Sequence, residues 1–251
     1  MLKVLLAVMF LITLPPPAAG SSHGTSGRGG LSGFTFLPGS DVLETGGLRI
    51  QGRLEYVDLE HSAGSYLLLP LCATWGQSEN FEFGGEIPLY LDEPSEDGHP
   101  LGDITAGCRW LYETARGGSA IAFQGLLRLP TGETGRDRGS ELDLGVSTGT
   151  TFRLFRLQAA ASYVLNGGDD PFSNDISDYM RFFMGGSSYI SENVQLVCSM
   201  DGSTLGGLGL SGSGILYGPD GFDLFGTFRA GLDGSEDFLL SGGISWTGSG
   251  F

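Results

Sequence analysis

Between Leu101 and Glu133 the chain carries two alternating runs joined by a short polar turn. In the first, Ile104, Ala106, Cys108, Trp110 and Tyr112 fall on one face, and Asp103, Thr105, Arg109 and Glu113 on the other, because successive side chains of a strand point to opposite sides. The second run sets Ile121, Phe123, Leu127 and Leu129 against Gln124 and Arg128. The two runs predict an antiparallel hairpin. Each has the roughly 9 to 11 residues that a tilted strand needs to cross a bilayer, with one face fit for lipid and the other for water.

From Leu48 onward the same alternation recurs about twelve times. Leu48, Ile50, Leu54 and Tyr56 oppose Arg49, Gln51, Arg53 and Glu55, and Phe81, Phe83, Ile87 and Leu89 oppose Glu82 and Glu86. Leu142, Leu144 and Val146 oppose Glu141, Asp143 and Ser147; Met180, Phe182 and Met184 oppose Arg181; Leu224, Phe228 and Ala230 oppose Asp223 and Arg229. Long polar connections (Asp58 to Ser65, Asp92 to Pro100, Pro130 to Ser140, Asn166 to Ser177 and Asp201 to Gly206) alternate with mostly short turns. Outer-membrane barrels place the long loops outside and the short turns in the periplasm. In that orientation Trp75, Phe81, Trp110, Tyr112, Phe155 and Trp246 fall near the periplasmic rim, and Tyr56, Tyr163 and Phe238 near the outer one.

The pattern predicts an all-β chain: a single antiparallel transmembrane β-barrel of about 12 strands in an up-and-down meander over residues 47–251. A soluble sandwich or lipocalin-like barrel, with its apolar faces inward, shares the alternation. The aromatic rims, the loop pattern and the near-absence of charge on the apolar face favour the membrane form.

Composition adds three limits. The 44 glycines and 17% charged residues, without any long run at helical spacing, exclude a helical protein. A net charge of −16 leaves no basic patch for nucleic acid. At the amino terminus Lys3, the apolar run Val4 to Leu14 and the small residues Ala18, Ala19 and Gly20 match a secretory signal over 1–20, which implies export to the outer membrane. The Gly- and Ser-rich stretch 21–46 has no apolar period and is expected to be a flexible N-terminal lead-in, the alternative being a segment that folds back into the lumen.

The polar phase supplies the candidate lumen lining: Arg49, Arg53, Glu55, Glu82, Glu86, Arg109, Gln124, Arg128, Asp143, Arg181, Asp223 and Arg229. Because the arginines come from strands all around the barrel, some are expected to meet the acidic residues across a narrow lumen. No catalytic residues are assigned, since His23, His61 and His99 lie in the tail or loops and form no legible triad. Gly207, Gly209 and Gly212 spell G-x-G-x-x-G without a following helix, so no dinucleotide or other cofactor is expected. Cys72, Cys108 and Cys198 have no metal spacing and are read as small hydrophobes, while Asp103 is expected to make a structural hydrogen bond at a strand end. Outer-membrane lipid and lipopolysaccharide are the expected surroundings. The acidic loop Asp92 to His99 reads as solvated, a divalent cation being the alternative.

The segments LGDITAGCRWLY, AIAFQGLLRLPTGE, ELDLGVSTG and FRLQAAASYVLNG resemble the MetA-pathway of phenol degradation family, over a stretch from about Leu67 to Trp246. The resemblance implies an outer-membrane, transporter-like barrel that passes aromatic or other hydrophobic compounds. The expected function is passive passage of a small solute, not catalysis. The competing expectation is a non-conducting structural or adhesive barrel with a side-chain-filled lumen.

Overall fold

The computed structural model describes residues 25–26, 31–34, 37–38, 41–59, 64–92, 100–113, 119–132, 140–152, 155–166, 178–232 and 238–249. The three histidines, the signal and the acidic residues 93–99 lie outside them. Three short strands, β1 (Thr25–Ser26), β2 (Ser32–Phe34) and β3 (Leu37–Pro38), form a small antiparallel sheet. Twelve longer ones follow: β4 (Leu48–Leu59), β5 (Gly64–Ser78), β6 (Phe81–Tyr90), β7 (Ile104–Glu113), β8 (Ser119–Leu129), β9 (Glu141–Phe152), β10 (Phe155–Asn166), β11 (Tyr179–Ser191), β12 (Val194–Ser203), β13 (Gly209–Tyr217), β14 (Phe222–Gly231) and β15 (Phe238–Gly248).

Each long strand pairs antiparallel with its sequence neighbours, and β15 closes on β4 from Phe238↔Asp58 to Gly248↔Leu48. Closure leaves no unpaired edge, which is what a sheet in hydrocarbon requires. The two register shifts, at Gly76/Ser78 and Tyr189/Ser191, both sit at the short-turn end, where bulges commonly re-aim strands at a barrel rim. At the turn between β13 and β14, Gly221 has φ +79°, and a Cβ there would stand 2.1 Å from the Thr247 carbonyl oxygen, so only glycine fits.

The apolar phase points outward. Ile50, Leu54, Leu71, Phe123, Leu144, Leu157, Met184, Leu196, Leu224 and Leu240 are all exposed, while Arg49, Arg53, Glu82 and Arg109 are buried. This is the inverse of a soluble barrel, and it settles the choice left by the alternation in favour of the transmembrane form. Trp75 stacks on Phe83 with ring centroids 6.1 Å apart and Trp110 on Phe123 at 5.7 Å, towards the short-turn end; Tyr56 meets Phe238 at 5.7 Å towards the long-loop end. Cross-strand aromatic pairs of this kind help fix register. Asp103 accepts the Gly132 N–H at 3.1 Å from the start of β7, the strand-end role expected of it.

Candidate functional site

Every predicted lumen residue stands on the inward phase of its strand. Arg53 is the centre of one cluster: its Nε donates to Glu55 Oε1 at 2.6 Å and its Nη2 to Glu86 Oε2 at 2.9 Å. Arg109 donates to Glu82 at 3.4 Å and to Gln124 Oε1 at 2.9 Å. Nearer the outer mouth, Arg128 pairs with Glu141 at 2.8 Å, and Arg181 reaches Asp143 at 3.3 Å and Glu141 at 3.8 Å. The Arg181 guanidinium carbon also lies 5.0 Å from the Tyr179 ring centroid. Arg229 holds both carboxylate oxygens of Asp201, at 3.0 and 2.9 Å. Arg49 donates to Thr247 Oγ1 at 3.1 Å, and Asp223 is buried within its electrostatic reach.

These contacts run along the wall, not across the lumen as the spread of arginines suggested. Partners sit on the same strand (Arg53 and Glu55), on adjacent strands (Arg109 and Glu82, Arg128 and Glu141) or two strands apart (Arg53 and Glu86, Arg181 and Asp143, Arg229 and Asp201). The reason is reach. Adjacent strands are about 4.8 Å apart, so a guanidinium on a long stem finds a carboxylate one or two strands away before it meets the far wall.

Cys72 is corrected too. It is buried on the inner face, where its Sγ accepts from Arg53 Nη1 at 3.2 Å and donates to Glu86 Oε2 at 3.4 Å, so it belongs to the polar cluster. Cys108 and Cys198, on the outward phase, keep the expected apolar setting.

The lumen also carries apolar side chains that the charge pattern did not name. Val197, Ile215 and Phe225 form a buried cluster on β12 to β14 with Phe183 and Tyr217 against it. Val57 and Leu239 form another beside Tyr66, whose ring lies 5.8 Å from that of Tyr90. Each sits in phase with polar neighbours (Val197 with Gln195, Phe225 with Asp223, Leu239 with Ser241), and an apolar residue at a polar-phase position is the signal that identifies them. Hydroxyl pairs complete this wall: Ser199 and Ser211 are 2.6 Å apart, Ser213 and Thr227 2.9 Å. The lining is therefore two-sided, with most of the ion pairs on β4 to β11 and a hydroxyl and aromatic surface on β11 to β15.

The described residues of the lead-in lie against this lining. The small sheet touches β4 and β5 through β1, and β10 and β11 through β3; these strand pairs are opposite one another around the ring. Val42 packs with Leu111 and Ala122 on β7 and β8, and the Leu43 N–H donates to Glu82 Oε2 at 2.8 Å. The two carboxylate oxygens of Asp41 accept from the two terminal nitrogens of Arg156 on β10, while its carbonyl accepts from Arg109 Nη1 at 3.4 Å. Gly46 and Gly76 complete the path: Gly46 N–H donates to Gly76 O at 2.7 Å, and Gly76 N–H to Gly47 O at 2.9 Å.

No family model and no curated relative matches the chain. Its fold is shared with the COG4313 outer membrane channel from Pseudomonas putida F1 (TM-score 0.65, 10% identity, covering 83% of this chain and 98% of that one). It is also similar to the CymD monoaromatic hydrocarbon channel (TM-score 0.51, 9% identity, 83% and 89%) and to outer membrane phospholipase A from Escherichia coli (TM-score 0.50, 12% identity, 79% and 92%). Most of the structural neighbours are outer-membrane channels or porins, and at these identities the likeness concerns the fold.

Proposed function

We propose that this barrel is an outer-membrane channel for passive passage of small aromatic or hydrophobic solutes. The observation that carries this reading is where the wall charges are spent. The ion pairs between barrel strands described above run along the wall, one or two strands apart, while Arg156 pairs with Asp41 of the lead-in, the segment that reaches from one side of the ring to the other. A closure made by a terminal segment is displaceable in a way that a salt-bridged side-chain core is not. The mixed lining suits the solute class, since Phe183, Ile215 and Phe225 offer apolar contact while neighbouring hydroxyls and guanidiniums hold a polar end. The names of two structural neighbours, an outer membrane channel and a monoaromatic hydrocarbon channel, support the same reading.

The test is liposome swelling and single-channel conductance of the mature chain beside a variant lacking residues 21–46. Benzyl alcohol and benzoate are the aromatic solutes and a sugar is the polar control. Aromatic solutes are expected to enter faster than through empty liposomes, and the shortened chain to conduct more. Deletion without any gain in permeability favours the non-conducting structural barrel, a reading to which the buried Glu82–Leu43 contact gives its support.

A further inference from the structure

Two of the lead-in's polar anchors differ in exposure. Arg109 and Glu82, which hold the segment at Leu43, are 2% and 0% exposed; Arg156 and Asp41 are 27% and 38% exposed. Arg156 stands on β10, across the ring from β4, where the chain enters the wall at Leu48. From Leu48 back to Asp41 the segment passes Gly76 on β5, Glu82 on β6, and Arg109, Leu111 and Ala122 on β7 and β8. On the far side β3 touches β10 and β11, and at Asp41 the segment is held by a side-chain carboxylate in a two-pronged contact with a guanidinium.

We propose that Arg156 is a carboxylate-binding subsite of the lumen, occupied in this state by the chain's own Asp41, and that a solute carboxylate displaces Asp41 and loosens the lead-in at the far wall. The exchange is chemically even. Both contacts join one guanidinium to one carboxylate with two parallel N–H···O bonds, a geometry that specifies a planar carboxylate over a spherical anion. Solvent reaches both partners, and ion pairs of that exposure are weak against water and salt, so an external carboxylate competes on near-equal terms. The buried Glu82–Leu43 contact offers no such exchange, because its donor is a backbone N–H and the adjacent Arg109 is buried against Glu82 and Gln124. The solute class becomes small planar carboxylates. This deepens the channel reading above and rests on it only for the direction of travel.

Binding and passage are separable in one experiment. The full mature chain in detergent is labelled by deuterium exchange, and the peptide covering residues 31–42, on the Arg156 side of the Leu43 anchor, is followed with benzoate, with benzyl alcohol and with sodium chloride at matched ionic strength. Benzoate is expected to speed exchange of that peptide several-fold while the other two leave it unchanged. Asp41→Asn and Arg156→Gln are each expected to show the fast rate without benzoate and no further response to it. Unchanged exchange in benzoate overturns the subsite, whether or not Asp41→Asn is fast, and so does an equal response to benzyl alcohol. Liposome swelling is read separately: a benzoate response in exchange without permeation leaves the subsite standing and sinks the channel, whereas permeation with an unresponsive lead-in does the reverse.

Discussion

The backbone N–H of Leu43 donates to Oε2 of Glu82 at 2.8 Å, and the other carboxylate oxygen of Glu82 lies 3.4 Å from Arg109 Nη1. One fully buried carboxylate thus joins a segment before the first barrel strand to the wall of β6 and β7. Glu82→Ala removes the acceptor of a buried N–H and leaves the Arg109 guanidinium without this carboxylate, a change that costs about 3–5 kcal/mol when a buried pair is broken. Glu82→Gln keeps an acceptor for Leu43 and gives up the charge and the acceptor that faces Arg109. Urea midpoints in detergent are expected to fall in the order wild type, Glu82→Gln, Glu82→Ala, with open-channel conductance rising in the same order. Equal midpoints for the two variants would show that the N–H contact contributes nothing.

A second contact of the lead-in depends on a missing side chain. A Cβ at Gly76 would stand 2.1 Å from the Glu44 carbonyl oxygen and 2.5 Å from that of Leu43, whereas one at Gly212 would meet nothing within 4 Å. Backbone cannot yield as a flexible side chain does, so Gly76→Ala is expected to lift the segment off β5 and raise conductance. Gly212→Ala, on the outward phase of β13, is the control and is expected to match wild type in conductance and in heat-modifiable migration. A closed, unaltered Gly76→Ala channel argues against the packing at this point.

The outward phase has its own test. Phe123 is 48% exposed to the lipid side, and its neighbour Gln124 faces inward to Arg109. A cation on the lipid face costs about 2–4 kcal/mol at mid-depth and far less in a wet lumen. Phe123→Arg is therefore expected to impair insertion, seen as loss of heat-modifiable migration, and Gln124→Arg to insert nearly as wild type. Equal tolerance of the two would mean that the faces are reversed.

The outer face was legible in the sequence because lipid admits one kind of side chain. Ile104, Ala106, Cys108, Trp110 and Tyr112 lie outward as their phase requires, and the same rule carries through to Ile244 and Trp246. The inner face was legible only in its charges. A lumen tolerates both kinds of residue, so Val57, Ile215 and Phe225 fall in the polar phase without breaking any rule that alternation enforces. The contacts of the lead-in were not legible at all. Leu31, Val42 and Leu43 follow no period, and their segment is fixed by pairs that are 39 and 115 positions apart, Leu43 with Glu82 and Asp41 with Arg156. Local pattern carries no information about such distant partners.

Charge at the outer mouth supplies the last prediction. Arg128 and Arg181 are 29% and 27% exposed and share Glu141, with Asp143 as a second partner of Arg181, so two partly exposed cations stand over two buried anions. The double substitution Glu141→Gln and Asp143→Asn removes both anions while leaving hydrogen-bond acceptors of similar shape. The guanidiniums then face the mouth uncompensated, although the Tyr179 ring still supports Arg181. If solutes pass this point, the reversal potential under a salt gradient is expected to shift towards anion selectivity. The shift is expected to shrink as salt is raised, since the screening length falls from about 10 Å at 0.1 M to about 3 Å at 1 M. Arg128→Gln with Arg181→Gln is expected to move the potential the opposite way. Two variants with wild-type reversal potentials would place the conducting path away from this cluster, and the hydroxyl and aromatic wall of β11 to β15 would become its course.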